Sequence, residues 1–218
     1  MIMRSARRVA AVTVALMLLI AAVPPFRTSV LRRIGATLIA EDPLATADLG
    51  VMMSESYASG ATLELADLVK TGAIRRVAVV APPDGIEVAQ EFARRGVPFE
   101  DNAAQAIAQL VRLGVPPTVI DRIPVTDAGG TTSEGAAIAA WCARRQVKTV
   151  LILSSPDHGR RVRRRVRRAF AGTATRPIVR LTRYGTFRAD DWWTRRDALR
   201  AGLVELEKLL LDVVAHPL

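Results

Sequence analysis

The chain has 218 residues, half of them hydrophobic, and carries a formal net charge of +10. Its single cysteine, Cys142, excludes an internal disulfide and a cysteine-rich metal site, and with only two histidines no zinc spacing is present. Lysine occurs only at Lys70, Lys148 and Lys208, so the excess charge is nearly all arginine. That balance suits an anionic partner or is a compositional habit of a chain rich in alanine and arginine.

Arg4, Arg7 and Arg8 precede the uncharged apolar run Val9 to Val23, which Pro24-Pro25-Phe26 extends up to Arg27. With its flanks the segment approaches the roughly 17–25 residues that span a bilayer. Residues 1–27 therefore read as an uncleaved N-terminal transmembrane anchor. A cleaved signal peptide is the alternative, but Ile20 and Ala22 make a poor cleavage site before the prolines. An anchor of this kind usually leaves the following domain outside the cytoplasm, although Arg27, Arg32 and Arg33 weaken the charge bias that sets orientation. Residues 28–40 read as an amphipathic connector with Val30, Leu31, Ile34, Leu38 and Ile39 at near-helical spacing, and residues 41–218 as the globular domain.

Strands are expected at Ala47 to Met53, Arg76 to Val80, Val119 to Val125, Thr149 to Leu153 and Pro177 to Leu181. Helices are expected at Ala61 to Lys70, Asn102 to Leu113, Ser133 to Arg145 and Pro156 to Phe170, with a last one ending near Val213. Strand-then-helix repetition predicts a three-layer α/β/α Rossmann-like domain with a mainly parallel sheet. In the last helix Leu199, Leu203, Leu206, Leu210 and Val213 form an apolar stripe expected to pack on the sheet. Trp192 and Trp193 are expected to seat the start of that helix at the core edge, and Cys142 to be a small core side chain.

In a parallel sheet the C-terminal strand ends share one edge, where ligands bind. That rule brings together Ser54 and Glu55, Asp84 and Gly85, Asp127 to Thr132, and Ser154 to His158. Two of these stretches also have a local explanation. Thr131-Thr132-Ser133-Glu134 fits a capping box with Thr131 at the N-cap. Ser155, Pro156 and Asp157 fit an N-cap, a first helical turn and a dipole partner. The functional reading instead makes Glu134 and His158 acid–base groups, with Ser54, Glu55, Thr131, Thr132, Ser155, Arg160 and Arg161 as ligand contacts. Arginine in a first turn suits bidentate contact with phosphate or carboxylate.

Beyond Arg161 the helix carries Arg163, Arg164, Arg165, Arg167 and Arg168 on an expected solvated face, over a buried stripe of Val162, Val166, Ala169 and Phe170. Those arginines suit anionic lipid or wall polymer. Nucleic acid is disfavoured, because aromatics for stacking are few and no binding motif is present. No G-x-G-x-x-G, P-loop or G-x-S-x-G motif occurs, and no metal site or particular cofactor is indicated.

An N-terminal anchor followed by Glu41-Asp42-Pro43-Leu44 resembles the YdcF/SanA/ElyC family of bacterial envelope proteins. So do Gly114-Val115-Pro116, Gly130-Thr131-Thr132 with Glu134, Ser154 to Arg161, and Trp192-Trp193. The likeness covers about Glu41 to Val213. It implies a Rossmann-like domain on the inner membrane, often facing the periplasm, that serves barrier function, peptidoglycan or surface-polysaccharide assembly. One branch is reported to bind S-adenosylmethionine. By motif match the functional positions are Thr132, Glu134, Ser155, His158 and Arg161. Ser54-Glu55-Ser56 and Pro82-Pro83-Asp84-Gly85 replace the family's usual glycine-rich turns, so the resemblance does not carry over the ligand's identity. The resulting expectation is a single-pass, membrane-anchored envelope factor that binds an anionic small molecule or lipid-linked phosphate. A hydrolase or transferase of such a precursor and an arginine-driven membrane-surface module are the alternatives.

Overall fold

The computed structural model describes residues 23–57, 60–83, 86–126 and 130–217. Five strands, β1 (Ala47–Met52), β2 (Ile74–Ala81), β3 (Ile120–Pro124), β4 (Thr149–Ser154) and β5 (Arg176–Leu181), form one sheet in the order β3-β2-β1-β4-β5. All four pairings are parallel. Seven α-helices lie among the described residues: α1 (Pro24–Leu38), α2 (Ala61–Lys70), α3 (Ile86–Arg94), α4 (Asn102–Arg112), α5 (Thr131–Arg144), α6 (Gly159–Ala169) and α7 (Arg196–Ala215). The expected α/β class is therefore present, with a sheet that is wholly rather than mainly parallel.

The central strands read as continuous apolar runs because both of their faces are covered. Val150 and Ile152 of β4 point to one side, with Leu49 and Val51 of β1, against Ile138, Cys142, Val162 and Val166 of α5 and α6. Leu151 and Leu153 point to the other side, with Val77 and Val79 of β2, against Leu65 of α2 and Leu110 of α4. Asp101 caps α4 by accepting the Ala104 N–H at 2.8 Å. Helix α3 has no counterpart among the expected elements. Its Val88 and Phe92 stay exposed, so it lacks the buried stripe that periodicity detects.

The expected anchor lies largely in residues 1–22, outside the described residues. Among the described residues no helix is long and apolar enough to cross a membrane. Residues 24–27, read as part of that anchor, belong to α1. The stretch 28–40, read as a connector, is mostly helical and docked: Leu31, Ile34 and Leu38 pack with Phe187, Trp192, Ala198 and Leu209 in a third core outside α6.

The stripe expected on α7 is displaced. Leu203, Leu210 and Val213 are exposed, and the buried row is Ala198, Gly202, Glu205, Leu209 and Asp212. Both rows have helical spacing. The winning row is the one whose small residues admit Trp192 and whose acids meet arginines of α6.

Cys142 is buried in the α5 face of the core, and burial pushes its thiol up to about 12. The folded chain is expected to resist a maleimide at about pH 8 and to label fully once unfolded. Rapid labelling of the folded chain would contradict this placement.

Candidate functional site

The sheet order reverses between β1 and β4, so the loops leaving these strands diverge and open a crevice at their C-terminal ends. β1 exits into a 3₁₀ turn, Ser54–Ser56. β4 exits into a turn in which the His158 N–H donates to the Ser155 carbonyl at 3.1 Å. Helix α6 begins at Gly159, three residues later than expected, with His158 at its N-cap. The capping roles read for Ser155, Pro156 and Asp157 are thus not realised. An added Cβ at Gly159 would lie 2.5 Å from Leu181 and 3.1 Å from the Ala40 carbonyl, so the turn needs a residue without a side chain there.

The capping box on α5 is also overturned. Gly130 occupies the N-cap at φ 59°, ψ −144°, and makes no side-chain cap. Thr131 and Glu134 both reach across the crevice instead. The Thr131 hydroxyl donates to Glu55 Oε2 at 3.1 Å and accepts from Arg161 Nη1 at 2.8 Å. Glu134 accepts the Ser54 N–H at 3.1 Å and the Ser54 hydroxyl. Ser154 donates its hydroxyl to Glu55 Oε1 at 3.2 Å. Tertiary partners displaced the local ones because a buried carboxylate without donors costs more than an uncapped helix end exposed to water.

At the centre stands Glu205, supplied by α7 and only 1% exposed. It accepts Arg161 Nε at 2.7 Å and Nη2 at 3.1 Å, a bidentate pair, and Lys208 Nζ at 2.9 Å. Its Oε2 also lies 2.8 Å from His158 Nδ1. That distance to a carboxylate places the proton on Nδ1, so the 3.3 Å approach of Arg161 Nη2 to the same nitrogen is a packing contact. The tautomer leaves Nε2 as the exchangeable nitrogen, on the side of Asp157, whose Oδ2 is 3.8 Å away.

Burial disfavours the imidazolium of His158. The hydrogen bond to Glu205 and the charges of Glu55, Asp157 and Glu205 outweigh it and raise the His158 pKa above its ordinary value. Burial likewise acts to raise Glu205, but the bonds from His158 and Arg161 prevail and bring it down to about 2.

His158 opens on a cleft of about 470 Å³. Glu55, Ser155 and Asp157 line it from the strand ends, Tyr184 to Phe187 from the segment after β5, and Arg195 to Ala198 from the start of α7. Ser155 Oγ is buried with no hydrogen-bond partner among the described residues. Of the residues singled out in the sequence, Glu55, Ser155 and His158 therefore share the cleft. Ser54, Thr131, Glu134 and Arg161 form the bonded layer beside it. Thr132 is exposed, and Arg160 turns away to donate to the Thr37 carbonyl of α1. Asp84, Gly85 and residues 127–129 lie outside the described residues.

Glu205 and the α7 wall were not legible locally. The only signal was the spacing Ala198, Gly202, Glu205, Leu209, Asp212, which a second, more apolar row obscured. The solvated face expected for α6 is largely engaged as well. Arg164, Arg165 and Arg168 converge on the buried Asp212, and Arg163 and Arg167 on Asp42.

A larger opening of about 600 Å³ lies at the opposite, N-terminal edge of the sheet. Its acid, Asp48, is engaged by the N–H groups of Lys148 and Thr149. Among the described residues no cluster of acids, histidines or cysteines is arranged to hold a metal ion. No protein-family model, no curated protein and no solved structure matches this chain.

Proposed function

We propose that this chain is a membrane-anchored factor of the bacterial envelope whose α/β domain binds a phosphate-bearing ligand in the cleft beside β1 and β4. The reading takes its setting from the apolar N-terminal segment and from the resemblance to the YdcF/SanA/ElyC family, with the domain facing the outside of the inner membrane. One observation carries the ligand class: a histidine held toward its cationic form by Glu205, with Nε2 beside a cleft whose other cations, Arg195 and Arg196, stand at the entrance. Arg161, the contact that the sequence favoured, already holds Glu205 and Thr131, so His158 and Arg196 take the anion.

The test is titration calorimetry of the full chain in detergent with inorganic pyrophosphate and a sugar 1-phosphate. Binding is expected to weaken about tenfold or more in His158→Ala and in Arg196→Ala, each removing one charge-assisted contact of about 1.5–3 kcal/mol. Wild-type binding is expected to weaken as pH rises through the elevated pKa of His158. Absence of binding, or binding indifferent to both substitutions, would sink the reading.

A second reading, a hydrolase or transferase of a phosphorylated or lipid-linked envelope precursor, is favoured by Ser155. Its buried, unbonded hydroxyl shares the cleft with an imidazole oriented by a carboxylate, the elements of nucleophilic catalysis. Turnover of a phosphoester probe that Ser155→Ala abolishes while pyrophosphate binding persists would establish it.

A further inference from the structure

On the side of α6 remote from the sheet, a groove of about 520 Å³ runs between α6 and α7. Its floor is apolar, made by Ala40, Ala171, Leu209 and Val213, and arginines of α6 form its walls. Five guanidiniums, those of Arg163, Arg164, Arg165, Arg167 and Arg168, share the two carboxylates Asp42 and Asp212, and a sixth, Arg160, donates to the Thr37 carbonyl. The two carboxylates hold Arg163, Arg164, Arg165 and Arg168 against the domain, and Arg167 also bonds Asp42 at 3.1 Å. Arg160 and Arg167 stay exposed, the latter at 59% of its side chain. Burial acts to raise Asp212, but Arg168, Arg164 and Arg165 hold its carboxyl well below the usual carboxylate range, so it stays charged and the cluster stays fixed at neutral pH.

The apolar floor continues outward. Val213 lines the groove, and Leu210, three residues earlier, and Val214 beside it are 64% and 71% exposed. Leu211 and Leu203 extend the same uncovered surface along α7, with the exposed Glu207 between them. A surplus of positive charge over an apolar slot, continuous with an exposed apolar helix face, complements a molecule with an anionic head and a hydrocarbon tail. Arg160 of the wall donates to the Thr37 carbonyl near the end of α1, the helix that directly follows the apolar run Val9 to Val23 in the chain.

We infer that the groove between α6 and α7 binds an anionic phospholipid of the bilayer. Its phosphate meets Arg160 and Arg167, and its acyl chains lie along Val213, Leu210 and Val214. The domain then rests on the membrane by this side. This site is independent of the ligand assigned to the cleft.

Native mass spectrometry of the full chain, extracted from vesicles that mix phosphatidylcholine and phosphatidylglycerol, reads the occupancy directly. Phosphatidylglycerol is expected to be retained over phosphatidylcholine. Arg160→Gln with Arg167→Gln should lower that retention about tenfold to thirtyfold, since each surface cation near an anionic bilayer contributes about a factor of five. Leu210→Gln with Val214→Gln should lower retention of both lipids. Thermal unfolding of the Leu210/Val214 variant should match the parent, because those side chains are exposed, and that of the arginine pair should fall only slightly, because it loses two solvent-exposed bonds, to the Thr37 carbonyl and to Asp42. Equal retention of the two lipids, or retention unchanged by the arginine pair, overturns the inference. So does competition by glycerol phosphate as effective as by the lipid, which would make this a phosphate site. Dimerisation lost in the Leu210/Val214 variant overturns it too, because a second copy would then be what covers α7.

Discussion

Glu205→Ala is expected to destabilise the chain by about 3–5 kcal/mol, the range for removing one partner of a buried ion pair. The substitution strands the Arg161 guanidinium, a buried cation left with the Thr131 hydroxyl, the His158 ring at 3.3 Å and a longer approach to Glu55 at 3.8 Å. It also frees His158 from the bond that fixes its tautomer. Glu205→Gln keeps the shape but not the charge and should fall between the parent and the alanine variant. Denaturant unfolding in detergent measures both.

The linkage carries a sign for each partner. Glu205 has a depressed pKa in the fold, so the stability it contributes is present above the ordinary glutamate range and is lost as pH falls toward about 2. His158 has a raised pKa in the fold, so its contribution is complete below the ordinary histidine value near 6.5 and is lost as pH rises through the folded value. In Glu205→Gln the burial that opposes the imidazolium has less to offset it, and the His158 resonance should titrate at lower pH than in the parent. An unshifted titration would show that Glu205 does not govern His158.

Trp192→Ala is expected to cost a further 3–5 kcal/mol by a different route, large-to-small replacement in a packed core. Trp192 is buried between α1 and α7, donates Nε1–H to the Leu31 carbonyl at 2.9 Å, and meets Phe187 at 6.3 Å between ring centroids. Gly35 and Gly202 make the space: a Cβ at either would stand 2.6–2.7 Å from the indole. Gly202→Val should therefore reproduce much of the loss while leaving Trp192 in place. Because the same indole seats α1 against the helix that carries Glu205, limited proteolysis within residues 24–40 should accelerate in Trp192→Ala. The His158 titration should move toward its ordinary value. Destabilisation without either change would mean that α1 and the site are uncoupled.

The strands and most helices could be read from the chain because their cause is local. Val150 to Leu153 is apolar on both faces, and Gly114 at φ 88° ends α4 where a side chain would be strained. The strand-end rule also located the site, since parallel order alone brings Glu55, Thr131, Ser155 and His158 to one edge. What each of these residues does there was not legible. Thr131, Glu134 and Ser155 all had satisfactory local roles as caps, and all three were claimed or left aside by partners distant in sequence.

The last helix shows the division most clearly. Its sequence carries two rows of helical period, and hydrophobicity alone prefers Leu199, Leu203, Leu206, Leu210 and Val213. The choice fell to the other row once α6 presented Arg161, Arg164, Arg165 and Arg168, because the buried guanidinium of Arg161 requires a carboxylate at Glu205 and the other three converge on a buried one at Asp212. Helical period and strand order are properties of neighbouring residues, and the chain determined them unaided. The pairing of His158 and Arg161 with Glu205 joins residues 44 and more positions apart, and only the packing of α7 against α6 decided it.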